Sequence, residues 1–332
     1  MRYDAIDLAK IPPPASVDVP SWDAGYASWT ADLAAQATAY GATYNVGSLR
    51  SDPLGWFCRV GAYRGDVVLR TRVNDAIRAV LVPTAEGADQ DNLFADFNLV
   101  RQTIVPANPV TGAAAVMEGD AAFRSRRLLA PEALSCAGPG GAYAFFAYDA
   151  HPDVKDVGVY GPEDGFVADG HVVVSVLSNV GNGYPTAQVL LAVAQRLHAW
   201  TAPDVPGYIP PSRAQLDADS IRPDTDWVEV HACLPVNFTV QAIITVPPGA
   251  DALVLQQASM AAVQAYCNQQ HVEGGSITCD GLIAAGRMMA ADGTSPLKKF
   301  TLIQPTADIA GQPLRAPYLS SLIAFVVEVQ RG

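Results

Sequence analysis

Between Ser21 and Gly41 the apolar residues Trp22, Tyr26, Trp29, Leu33, Ala37 and Tyr40 recur at steps of three and four. That is the spacing of one face of an α-helix. Ser21 suits the N-cap and Gly41 the stop. Such an aromatic stripe docks either on the protein's own core or on another subunit, and the spacing leaves both open. Asp52-Pro53 opens a second helix, predicted to run to Val82 because Pro83 cannot continue it. Gly61 and Gly65 share a face of that helix. They predict either close approach of another backbone or a local break. A short helix over 89–97 follows the turn at Gly87.

The rhythm then loosens. Residues 102–119 are rich in Pro, Ala and Gly and read as a connection. A helix is expected over 120–134, a glycine loop over 137–143 and a helical stretch over 141–150. From 154 onward the period changes to that of strands. "VKDVGVY" and "HVVVSVLS" are β-rich runs with a turn between them. "PTAQVLLAVAQRLHAW" (185–200) is a helix, and "WTAPDVPGYIPPSR" (200–213) reads as an excursion too rigid and polar for a core. "DWVEVHACLPVNFTVQAIITV" is expected to be two strands joined near Pro235. Helices over 251–270 and 278–289 and strands over 297–304 and 319–329 complete the chain. The fold class is therefore α+β, a helical N-terminal region followed by two small mixed sheet-and-helix lobes. The expected division is an extended arm (1–20), a helical region (21–101), the connection (102–119), a first lobe (120–215) and a second lobe (216–332).

Composition narrows the function classes. Half of the 332 residues are hydrophobic and 16% are charged, which argues against a disordered chain. The net charge of −12 gives no electrostatic footprint for nucleic acid or an anionic membrane. No apolar run reaches the roughly 18 residues of a spanning helix. The first residues, "MRYDAIDLAKIPPP", lack a signal-peptide core, so synthesis in the cytosol is expected. The five cysteines, Cys58, Cys136, Cys233, Cys267 and Cys279, are far apart in sequence. They read as reduced, mostly buried thiols, or else as one bond to a neighbouring chain.

Candidate chemistry is sparse. Gly138 to Tyr143 lacks the lysine and hydroxyl of a phosphate-binding Walker loop, and Tyr143 stands where G-x-G-x-x-G needs its last glycine. Its expected role is a turn. Gly181-Asn182-Gly183 lies between a strand and a helix, where backbone N–H groups can hold an anion, but Thr186 occupies the third glycine position. "GGSIT" (274–278) misses the nucleophile elbow G-x-S-x-G at Thr278. His151, His171, His198, His231 and His271 are at least 20 residues apart, so no close metal spacing exists. Asp149, His151, Asp153 and Asp156 form an acidic–His cluster at an expected helix-to-strand corner, where aspartates serve local backbone bonds. No catalytic, cofactor-binding or metal-binding residue is assigned.

One segment is more informative as a phrase than as physics. "FRSRRLLAPEALSCAGPGGAYAFFAYDAHPDVKDVGV" (123–159) resembles the baseplate J-like family of contractile-tailed bacteriophages. The matching order is Glu132-Ala133-Leu134-Ser135, Ala137-Gly138-Pro139, Gly141-Ala142-Tyr143 and Phe145, then Pro152, Val154, Asp156 and Val157. "RTRVNDAIRAVLVPTAEGADQDNLFADFNLVR" (70–101), "VVVSVLSNVGNG", "DADSIRPDTDWVEV", "VNFTVQAIITVPPGAD", "LKKFTLIQPTADI" and the "DLAKIPPP" arm extend the resemblance over nearly the whole chain. Residues 200–213 and "MMAADGTSP" look like additions to the family pattern.

The resemblance implies a structural virion protein without catalysis or cofactor. It implies a baseplate wedge: two copies joined by a tail protein I-like partner, six wedges ringing the central hub and spike, and contact with the sheath initiator. The ring would help couple host contact to sheath contraction. No nucleic acid or membrane-spanning partner is implied. The protein would be made in the bacterial host cytoplasm and reside in the tail baseplate. Trp22 and Trp29 would then contact another subunit. A wedge protein of a non-phage contractile injection machine, or an anion- or nucleotide-binding enzyme using the 181–186 loop, is the alternative.

Overall fold

The computed structural model describes residues 18–43, 52–135, 137–218, 221–289, 293–322 and 325–329. The expected arm therefore lies largely outside the described residues. The chain divides into two compact units, which meet in sequence between Val100 and Arg101.

The first unit is helical. Helix α1 (Trp22–Ala39) is capped by the Ser21 side chain, which accepts from the Ala24 amide. Helix α2 (Pro53–Gly61) starts at Asp52, whose carboxylate accepts from Leu54 N, and Pro53 holds the first helical position. It runs on through a π-helical stretch, Ala62–Val68, into α3 (Leu69–Ala79). The helix stays continuous but is widened there. Gly61 and Gly65, expected to mark tight helix packing or a local break, sit where both occur. A Cβ on Gly61 would lie 2.4 Å from Trp29 Cζ3, and one on Gly65 3.2 Å from Trp29 Cζ2. The glycines form the seat of an indole. Trp29 Nε1 donates to Asp66 Oδ2 at 2.7 Å within the widened segment, and Arg59 stacks over Trp22 and Tyr26. π-helical stretches inside α-helices are rare and mark locally special sites. Helix α4 (Gly87–Phe94) and a 3-10 turn (Ala95–Phe97) close the unit, with Phe94 fully buried.

The second unit begins with a small ribbon, β1 (Thr103–Val105) and β2 (Val116–Met117). Helix α5 (Asp120–Leu129) follows and tightens to a 3-10 turn (Ala130–Leu134), where Pro131 enters. Helix α6 (Gly140–Ala150) leads into the first sheet. Strand β3 (Val154–Tyr160) pairs antiparallel with β4 (His171–Ser178). Helix α7 (Ala187–Arg196) and the short α8 (Arg213–Ala218) precede β5 (Trp227–Ala232), which lies parallel to β4. Val157, Val174, Val176, Val228 and Val230 put one face of this sheet against Tyr143, Ala147, Leu190 and Val193 of the helices. Each such buried side chain contributes about 1.5–3 kcal/mol.

One sequence expectation changes here. The stretch 200–213 is not excluded from the core: Ala202 and Val205 are buried in it. Trp200 N donates to Val228 O, Val230 N donates to Thr201 O, and Tyr208 donates its hydroxyl to Ala199 O. The segment covers the open edge of β5, which explains why prolines are tolerated there. Strand β5 belongs to the first sheet, and the chain changes sheets at Cys233.

Beyond Cys233, β6 (Leu234–Val246) buries alternate residues Phe238, Val240, Ala242, Ile244 and Val246, the period of a half-buried strand. Helices α9 (Ala252–Gln270) and α10 (Cys279–Arg287) pack on it. Strand β7 (Lys299–Gln304) runs antiparallel to β6 on one side. On the other side lie β8 (Arg315–Leu322) and β9 (Val326–Val329), both parallel to β6. The expected strand 319–329 is thus two shorter pieces. The fold is α+β, as the change of period predicted.

Candidate functional site

The glycine loop is a turn locked by its neighbours. Gly138 has φ +72°, and a Cβ there would sit 2.8 Å from both Pro223 Cδ and Asp226 Oδ2. Gly141 lies equally close to the Glu132 carboxylate. Tyr143 donates its hydroxyl to Asp226 Oδ2 at 2.6 Å, and burial beside that carboxylate pushes the phenol's pKa upward. Arg222 ties the same loop, donating to His198 O and Asp226 O. The two phrases "AGPGGAY" and "RPDTDW", far apart in sequence, are therefore one packed junction. Its side-chain donors, Tyr143 and Arg222, are committed to protein acceptors, which is the chemistry of a joint.

The Asp149–His151–Asp153–Asp156 cluster dissolves into separate tasks. Arg126 is 4% exposed and pairs with Glu118 Oε2 at 2.7 Å and with Asp149 Oδ1 at 2.8 Å. Asp149 also meets Arg196. His151 Nδ1 accepts from Asp153 N, closing a local turn. Asp156 is buried and turns the other way. Its two oxygens accept from the Tyr148 hydroxyl and from the Glu273 amide.

Glu273 is the residue that sequence reading missed. It lies 113 positions from Tyr160, whose hydroxyl donates to its carboxylate at 2.6 Å. Leu314 N donates to Glu273 Oε1 at 2.8 Å. A Cβ on Gly158 would collide with Glu273 Oε2, so the bare backbone of β3 is what lets the carboxylate approach. This network joins the first sheet to the second lobe. Cys233 lies beside it, fully buried, and burial with the nearby Glu273 charge pushes its thiol pKa up to about 12. It is a packing group and no nucleophile. Cys58 and Cys267 are likewise free and buried, and Cys279 is free and half-buried. Cys136 lies outside the described residues.

The remaining motifs resolve similarly. Thr278 of "GGSIT" is the N-cap of α10, accepting from Gly281 N. His171 and His231 flank Glu229 at 3.0 and 3.3 Å, on neighbouring strands of the first sheet. Among the described residues no group of three or more His, Cys, Asp or Glu side chains is arranged to hold a metal ion. Among them, too, no helix is long and apolar enough to cross a membrane. Gly181 borders a polar cleft facing α9.

A cluster of exposed apolar side chains in the helical unit lies on α2 and the widened turn after it. Trp56 is 60% exposed, Phe57 75%, Val60 57% and Tyr63 52%. Trp22 and Trp29, the residues singled out from sequence, are 39% and 36% exposed and largely occupied within their own chain. Tertiary pairing of α1 with α2 decided between the two faces, which sequence periodicity alone does not rank.

The Baseplate J-like N-terminal domain model matches residues 50–108. Baseplate protein J of Escherichia phage P2 is 31% identical over 273 residues, covering 82% of this chain and 80% of that protein. The match spans most of both chains, and the chain belongs to the baseplate J-like family.

Proposed function

We propose that this protein is a structural subunit of a contractile phage tail baseplate, resident in the virion and without catalytic activity. The carrying observation is the likeness to the phage P2 baseplate protein over 82% of this chain and 80% of that protein. In this reading the chain is made in the host cytoplasm and assembles as part of a wedge. Two copies and a tail protein I-like partner share a helical bundle, and six wedges surround the hub and spike beneath the sheath initiator. The ring helps transmit host contact to sheath contraction. Residues 1–20 serve as an arm and 21–101 as the bundle region. Residues 102–119 connect them to the lobes over 120–215 and 216–332.

The exposed Trp56, Phe57, Val60 and Tyr63 support the bundle assignment, because clustered aromatics are the anchors that dominate protein interfaces. The test is complementation of a phage deleted for this gene with a Trp56→Asp, Phe57→Asp chain. Tails without baseplates are expected in electron micrographs, while circular dichroism of the purified variant stays native. Complete, infectious particles built from that variant would overturn the bundle assignment. Absence of the wild-type chain from baseplate density would overturn the function itself.

A further inference from the structure

Between the first sheet and α9 lies a polar cleft of about 400 Å³. Its lining includes Lys155, Ser178, Asn179, Gln264, Asn268 and His271, with Gly181 at the rim. Strand β3 is bulged at this point. Val154 pairs with Ser178 and Asp156 with Leu177, leaving Lys155 as the extra residue. A bulge re-aims a side chain out of the regular alternation. Here it brings an ammonium to a cleft between lobes.

That ammonium makes no hydrogen bond or ion pair among the described residues. The nearest acid, Asp156, has its oxygens engaged by Tyr148 and Glu273. In a chain carrying a net charge of −12, a half-buried lysine without a counterion is unexpected. His271 stands close enough to feel the same charge, and its Nδ1 donates to Pro317 O at 2.7 Å. Burial and Lys155 both lower the His271 pKa, and burial lowers that of Lys155. The Asp156 charge raises the Lys155 pKa, but less than burial lowers it. The glycine loop packs closely on His271: a Cβ on Gly183 (φ +88°) would lie 2.7 Å from His271 Nε2.

We propose that this inter-lobe cleft, formed by Lys155, His271, Asn268 and the Gly181–Gly183 loop, is a binding site for a small oxyanion. Phosphate, sulfate and carboxylate share the chemistry it recognises, a compact negative charge with several acceptor oxygens. Lys155 supplies the charge, and the side-chain amide of Asn268 supplies a neutral donor. A bound anion bridges β3 of the first lobe to α9 of the second. The site stiffens the joint and contains no group arranged for catalysis.

The experiment uses the full-length chain. Thermal unfolding and titration calorimetry are run with sodium phosphate, sulfate and acetate against sodium chloride at matched ionic strength. A saturable rise in the unfolding midpoint with at least one of the three is expected. Phosphate or sulfate acting alone identifies a free tetrahedral anion, whereas acetate acting as well admits a carboxylate side chain as occupant. Lys155→Met should weaken binding by about tenfold or more, and Lys155→Arg should retain it. Perturbation of the His271 imidazole resonances by the anion gives a readout in the unmodified protein. No effect beyond chloride from any of the three, or an equal effect in Lys155→Met, overturns the proposal.

Discussion

Replacing Glu273 with alanine should loosen the joint between the lobes. The carboxylate accepts from the Tyr160 hydroxyl at 2.6 Å and from Leu314 N at 2.8 Å. Tyr160 is 4% exposed, so its hydroxyl would be left without that acceptor. A hydrogen bond to a charged group contributes about 1.5–3 kcal/mol, and two give about 3–6 kcal/mol. Partial exposure of Glu273 places the expected loss at the lower end, about 3 kcal/mol. For a unit of this size each kcal/mol moves the midpoint by about 2–4 °C, so a drop of roughly 6–12 °C is expected. The assay is calorimetric unfolding together with amide exchange. Exchange should accelerate at Leu314 and Glu273 while the amides of β6 remain protected. A variant within about 0.5 kcal/mol of wild type, the scatter of ordinary surface changes, with Leu314 still protected, would refute the reasoning.

Three further outcomes are expected. Gly61→Ala should destabilise the helical unit by about 1–3 kcal/mol, because its Cβ strikes Trp29; Gly25→Ala, whose Cβ meets only ordinary contacts at 3.6 Å and beyond, should instead stabilise α1 by about 0.5–1 kcal/mol. Denaturant titration of both variants reads the opposite signs. Arg126→Ala should cost about 3–5 kcal/mol, since it strands the buried Glu118 carboxylate, and urea unfolding of the purified chain measures it. The His271 pKa is lowered from its ordinary 6.5, so between those values the folded chain binds fewer protons than the unfolded one. Its contribution to stability is therefore complete above about pH 6.5 and is lost as pH falls through that window. The midpoint-versus-pH slope on the acid side should shrink in His271→Gln.

The sequence by itself determined the elements and their class. Proline and cap positions set the start of α2, the β-rich run after Pro235 set β6, and the ordered phrases from Glu132 to Val157 carried the family resemblance. These are local signals, written within a few residues. Tertiary structure decided what the elements touch. It gave Trp29 a glycine seat on its own chain and left Trp56 and Phe57 outside. It drew residues 200–213 onto the edge of β5 and split the neighbours β5 and β6 between two sheets. It assigned Asp156 to a partner 117 positions away, the Glu273 amide. Hydrogen bonds and close packing act over a few ångströms of space, whatever the separation along the chain. Contacts between distant segments leave no periodicity for a single sequence to display.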